Sequence, residues 1–211
     1  MRLTVLYPFM EKSFSESTPA FIEKLVWLQK SRAIDLLITV DQPGKTADAL
    51  KKAKLSYEEV AFLSPIGLYD FYLVVLYKLI RSALPSFFYF NSHKIDLVHC
   101  PDLLSLLCWG NTAKMNRIPF ITSLQSAEKI SHYSSLMLTD SKKIICCSED
   151  IRSKIPERFS SRALLAPEAQ NISENLNPES CRKNVVDFWI QQYASLFVKP
   201  NLNKITGILN K

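Results

Sequence analysis

Four glycines in 211 residues leave this chain few points where the backbone can turn through positive φ or lie close against a ligand. Phosphate sites cradled by glycine-rich loops are correspondingly scarce. The one tempting stretch, "DQPGKT" at 41–46, lacks the first glycine of a P-loop, because Thr39 stands five positions before Gly44 and Pro43 interrupts the loop. It reads as a turn after a strand.

Other absences narrow the field further. The five cysteines, at 100, 108, 146, 147 and 181, form no C-x-x-C pair and no regular framework, so they read as reduced thiols of a cytoplasmic protein. The three histidines, His93, His99 and His132, have no ligand spacing with them, so neither a metal nor any other cofactor is expected. No arginine-rich arm or aromatic-interleaved basic run argues for nucleic acid. The net charge of +6 suits an anionic ligand or membrane surface, with a solvated basic face as the plainer alternative.

Long uncharged runs are missing too. "MRLTVLYPFM" stops at Pro8, too soon for a signal peptide, and reads as a buried first strand. The most apolar region, "IGLYDFYLVVLYKLIRSALPSFFYF", is interrupted by Asp70, Lys78 and Arg81, so a bilayer crossing is not expected. Its helix reads by default as core-packed. An interfacial helix touching the inner face of a membrane is the alternative.

What remains is ordinary globular composition, 47% apolar and 22% charged. Short apolar runs alternate with segments of helical period, which predicts an α/β, Rossmann-like, doubly wound and mostly parallel sheet. Strands are expected at Leu3–Tyr7, Ile34–Val40, Tyr57–Phe62, Ile95–His99, Phe120–Leu124, Lys143–Cys147 and Ala163–Leu165. Thr18 is a candidate N-cap ahead of Pro19, Asp102 can cap a helix reaching about Asn116, and Ser148 with Glu149 opens another that stops near Pro156. The domain is expected to span 1–172, followed by a polar linker at 173–180 and a C-terminal helix and tail at 181–211. That helix carries a stripe of Val185, Phe188, Trp189, Tyr193, Leu196 and Phe197, which needs a surface to pack on.

His99 and Cys100 look like a nucleophile and base, but neighbours on a strand point to opposite faces and cannot form a couple. What "IDLVHCPDLLS" does supply is a strand end, where ligands of doubly wound sheets bind. Cys146 and Cys147 are likewise read as core.

Three stretches together resemble the N-terminal half of family-four glycosyltransferases of the two-domain GT-B type. They are "KIDLVHCPDLLSLLCWGNTAKMNRIPFITSLQ", "DSKKIICCSEDIRSKI" and "RALLAPEAQNI". "NVVDFWIQQYASLF" is similar to the helix with which such chains return to their first domain. The resemblance covers about residues 1–172 plus this helix, and it implies that the donor-binding second domain is absent between about Ile172 and Ser180. Glu149 and Glu157 have the spacing of the family's donor-binding glutamates, but without the surrounding glycines the match is read as chance.

The resemblance thus implies an acceptor-side domain with strand order 3-2-1-4-5, working with a separate donor-domain protein or catalytically degenerate. It implies a sugar or lipid-linked acceptor. No catalytic residue is assigned. Candidate substrate-binding residues are Ser15, Ser17 and Thr18 where the family has paired glycines, His99 and Asp102 at the strand end, Gln125 with Ser126 where the family often has His-Gly, and Ser148 with Glu149. Plainer readings stay open for several of these: His99 as a packed strand-end residue, and Asp102, Ser148 and Glu149 as helix capping. A non-enzymatic binding or scaffold module on the same fold is the rival reading of the whole.

Overall fold

The computed structural model describes residues 2–15, 18–61, 71–125, 132–166 and 178–197. Its centre is a parallel sheet of seven strands in the order β3-β2-β1-β4-β5-β6-β7. These are β1 (Leu3–Phe9), β2 (Ile34–Val40), β3 (Glu58–Glu59), β4 (Leu97–Cys100), β5 (Phe120–Leu124), β6 (Ile144–Cys146) and β7 (Ala163–Leu165). The expected α/β doubly wound architecture is therefore present. The order reverses between β1 and β4, which opens a switch point at their C-terminal ends.

Two apolar layers sandwich the sheet, because alternate residues of each buried strand face opposite ways. Val5, Tyr7, Leu97 and Ile121 meet helices α1 (Thr18–Ser31), α2 (Lys45–Lys52) and α8 (Pro178–Ala194). Leu6, Val98, Cys100 and Cys146 meet α3 (Tyr72–His93), α4 (Leu103–Ser105), α5 (Asn111–Met115), α6 (His132–Asp140) and α7 (Glu149–Ser153). Cys100 thus faces away from His99, and Cys146 is core. Between α4 and α5, Leu106–Gly110 winds as a π-helix. Gly110 lets it sit tight, since a Cβ there would come within 2.9 Å of Leu106 and 3.5 Å of Phe120.

Some boundaries differ from the sequence expectation. β3 is short because Glu58 and Glu59 are exposed at the sheet edge, and Phe62 lies outside the described residues. Thr18 begins α1 rather than preceding it, and its Oγ1 accepts from the Ser15 N–H at 3.0 Å. α8 starts at Pro178, inside the expected linker; residues 167–177 and 198–211 lie outside the described set.

α8 docks on the sheet through Val185, Trp189 and Tyr193, all at most 4% exposed. Phe197, expected in the buried stripe, is 47% exposed because the helix has ended three residues earlier. The Lys143 ammonium donates to the Gln192 carbonyl at 3.3 Å and to the Ser195 hydroxyl at 2.5 Å, where a helix C-terminus favours positive charge. Partial burial lowers the Lys143 pKa.

α3 departs most from a core-packed helix. Val75, Ser82, Ser86 and Phe90 face the domain, while Leu73, Tyr77, Ile80, Leu84, Phe87 and Phe88 are each more than half exposed.

Candidate functional site

The loops after β1, β4 and β5 and the start of α2 converge on one crevice at the switch point. Ser13 and Ser15 come from the first loop, Thr18 from the start of α1, Thr46 from α2, Asp102 from the turn after β4, and Gln125 from the end of β5. Phe9, Met10, Phe14, Leu103 and Leu124 supply its apolar lining. Among the described residues of this lining, Asp102 is the one that is formally charged. The free space is about 20 Å³, room for a single water.

Asp102 organises the crevice because it both caps α4 and reaches across to the first loop. Its Oδ1 accepts from the Ser105 N–H at 2.7 Å, and its Oδ2 accepts from the Ser105 hydroxyl at 2.9 Å and the Ser13 hydroxyl at 2.8 Å. The Ser13 hydroxyl also lies 2.7 Å from the Met10 carbonyl, and its single hydrogen serves only one of the two acceptors at a time. These three hydrogen bonds engage both carboxylate oxygens. Gln125 donates Nε2–H to the Pro101 carbonyl at 3.0 Å, which ties the ends of β4 and β5 together.

The start of α2 is an anion site filled from within. Glu11 accepts from the Lys45 N–H at 2.6 Å through Oε1 and from the Thr46 N–H at 2.9 Å through Oε2. Asp41 holds the Glu11 N–H at 2.8 Å. Gly44 makes room for this carboxylate, since a Cβ there would fall 2.3 Å from it. The "DQPGKT" turn therefore binds the protein's own glutamate. Thr46, 1% exposed, has no hydrogen-bond partner for its hydroxyl among the described residues.

His99 is not in the crevice lining. It is fully buried under α1 and α8, with Nδ1 2.7 Å from the Tyr193 hydroxyl and Nε2 2.8 Å from the Ser123 hydroxyl. Tyr7 hydrogen-bonds Tyr193 in turn. A neutral imidazole fits this chain: Tyr7 donates to Tyr193, Tyr193 to Nδ1, and Nε2–H to Ser123. Burial pushes the His99 pKa well below its ordinary value, with the charge of Lys24 adding to the effect. The Trp189 and Tyr7 rings pack tilted against the imidazole, at 4.7 and 4.8 Å between ring centres. The sequence expectation that His99 borders the crevice is thus corrected: one residue short of the end of β4, it is covered by α1 and α8 and does not line the crevice.

Ser148 and Glu149 also lie apart from the crevice lining. Ser148 caps α7 by accepting from the Ile151 N–H at 3.2 Å, and Glu149 is exposed and faces Arg152 at 3.4 Å. Glu157 begins a separate 3-10 turn, Glu157–Arg162, rather than sharing a helix with Glu149. Ser17 and Ser126 lie outside the described residues. The sequence reading missed Thr46, Glu11 and Tyr193 as functional neighbours. The strand order supplied a signal for the first two, since β2 beside β1 brings the turn after β2 to the same end of the sheet.

No family model matches the chain, and no curated protein matches it. Solved structures do. A glycosyltransferase from Rickettsia africae ESF-5 is 15% identical, with a TM-score of 0.59 over 90% of this chain and 50% of its own. Anabaena Alr3699/HepE, solved with UDP and glucose, is 14% identical, with a TM-score of 0.53 over 78% of this chain and 44% of its own. A putative UDP-N-acetylglucosamine 2-epimerase from Listeria monocytogenes is 8% identical, with a TM-score of 0.57 over 84% of this chain and 50% of its own. The chain thus has the Rossmann-like α/β fold of GT-B glycosyltransferases and of these epimerases. It spans about half the length of the solved structures it matches.

Proposed function

We propose that this chain is the acceptor-side, N-terminal-type domain of a family-four GT-B glycosyltransferase, acting with a separate donor-binding protein or catalytically degenerate. The observation that carries this reading is the crevice at the β1/β4 switch point, whose lining among the described residues consists of hydroxyls, one amide and one carboxylate together with apolar side chains, without lysine or arginine. Such a lining suits the hydroxyls of a neutral sugar. A departing nucleotide diphosphate needs positioned cations or amides, and the N-terminal amides of α2 are spent on Glu11. The fold match to glycosyltransferase structures supports the glycosyltransferase-like part of this reading.

The test is a nucleotide-release assay across common nucleotide sugars, run beside ligand-observed NMR with free sugars and sugar-lipid headgroup mimics. The expected result is no turnover by the chain alone and sugar binding weakened by Gln125→Ala. Robust turnover abolished by Glu149→Ala would overturn it. The rival, a non-enzymatic binding module, draws on the narrow crevice and the mutual satisfaction of Asp102, Ser13 and Ser105. It predicts that no sugar binds there at all.

A further inference from the structure

Helix α3 leaves most of its apolar surface outside the domain. The side chains it turns toward the domain include two serines, Ser82 at 4% and Ser86 at 0% exposure, while Ile80, Leu84 and Phe88 on the outer side are 67%, 64% and 63% exposed. The buried hydroxyls are satisfied by the helix itself, Ser82 donating to the Lys78 carbonyl at 2.6 Å and Ser86 to the Ala83 carbonyl at 2.9 Å. An inward face that mixes these serines with Val75 and Phe90, beside an outward face of leucine, isoleucine and aromatics, departs from the pattern of a helix meeting water. Leu73, Tyr77, Ile80, Leu84, Phe87 and Phe88 follow helical spacing and form one continuous stripe about 22 Å long. Contiguous apolar surface of this kind marks an interaction site.

The charges on the same helix say what covers it. From Phe71 to His93 there is no acidic residue, and Arg81 is exposed beside the stripe. We propose that α3 lies flat on an anionic lipid bilayer, its stripe entering the headgroup boundary and Arg81 pairing with lipid phosphates. A second copy of the chain fits this face less well, because self-pairing would bring Arg81 together with its twin and the helix offers no carboxylate to either. Leu73–His93 is long and apolar enough to cross a membrane, with a mean hydropathy of 1.3. It is nevertheless held along its length on the domain. Val75 and Phe90 belong to the core, Phe90 and Tyr89 pack on Trp109 at 5.9 and 6.0 Å, and the Tyr89 hydroxyl donates to Glu58 at 2.8 Å. Crossing the bilayer would strip all of these contacts, so the helix rests on the surface. This inference stands on α3 alone and does not depend on the glycosyltransferase reading.

The experiment is co-sedimentation of the full chain with phosphatidylcholine vesicles and with equal mixtures of phosphatidylcholine and phosphatidylglycerol, beside sedimentation velocity without lipid. The expected result is binding to the mixed vesicles that is released by high salt and is much weaker on phosphatidylcholine alone. Ile80→Ser/Leu84→Ser should weaken it by about tenfold or more, and Arg81→Gln by about fivefold. Both variants alter exposed side chains and should keep the wild-type thermal midpoint. Equal binding by wild type and the double variant overturns the proposal, as does a lipid-bound form released only by detergent. A lipid-free dimer that the double variant dissociates also overturns it and assigns the face to a second copy.

Discussion

The imidazole Nδ1 of His99 and the hydroxyl of Tyr193 lie 2.7 Å apart, joining the fourth strand to the last helix across 94 residues of sequence. The contact is buried on both sides, and it makes α8 part of the domain core. Removing the Tyr193 hydroxyl would leave a ring nitrogen without its partner, and losing one partner of a buried pair costs about 1–3 kcal/mol. Tyr193→Phe should therefore lower stability by that amount in urea denaturation. Trp189→Ala, which empties the space beside His99, should cost about 3–5 kcal/mol. A chain ending before Pro178 should lose at least as much, and an unchanged denaturation midpoint for it would show α8 to be dispensable.

The same histidine gives the fold a pH dependence. Its pKa is depressed in the folded chain relative to the ordinary 6.5, so below that value the unfolded chain binds more protons than the folded one. Stability therefore rises with pH: the contribution is fully present above about 6.5 and is lost as pH falls toward the folded-state value. The loss cannot exceed about 1.4 kcal/mol per pH unit from this one group. His99→Gln should flatten that part of the profile between about pH 7 and 5. Identical slopes for wild type and variant, followed by denaturant midpoint, would rule the mechanism out.

Glu11 and Gly44 act as a unit, because the glycine leaves the space that the carboxylate occupies. The φ of Gly44 is 166°, extended backbone open to any residue, so the demand is for room rather than for chain flexibility. Gly44→Ala would push the carboxylate off the Lys45 and Thr46 amides, and Glu11→Ala would remove it. Each should cost about 1 kcal/mol, the worth of a helix cap. The double variant should cost little more than either alone, since both remove one interaction. Full additivity in chemical denaturation would contradict the shared role.

The sheet was legible in the sequence because its strands are buried on both faces and so appear as short, β-branched apolar runs; Ile34–Val40 and Phe120–Leu124 match their expected bounds. The cap at Asp102 was legible for a related reason, as a short acidic side chain between a strand and an apolar helical run. His99 was misassigned because the sequence shows that it lies near a strand end, while whether it is open to a crevice or covered depends on what packs over it, here α8 from 94 residues further along the chain. α3 was misread because its aromatics and aliphatics look the same in sequence whether they face a core or the outside. Only the two serines, placed where core residues would be expected, carried the contrary signal.

Thr46 separates stability from binding in the crevice. Its hydroxyl is buried without a partner among the described residues, so Thr46→Val, which keeps the shape and deletes the hydroxyl, should leave stability unchanged or raise it slightly. A crevice that takes up a sugar would open beside this side chain and give the hydroxyl its missing partner, and Thr46→Val should then weaken sugar binding by about the worth of one hydrogen bond, near 1 kcal/mol or about fivefold. Asp102→Ala behaves differently: it removes the α4 cap and the anchor of Ser13 together, costing about 1 kcal/mol of stability as well as binding. Thermal denaturation and ligand-observed NMR on the two variants, with Gln125→Ala as a third, distinguish the cases. If Thr46→Val destabilises the fold while sugar signals stay as in wild type, the crevice is a structural seam between loops and the ligand site lies elsewhere on the chain.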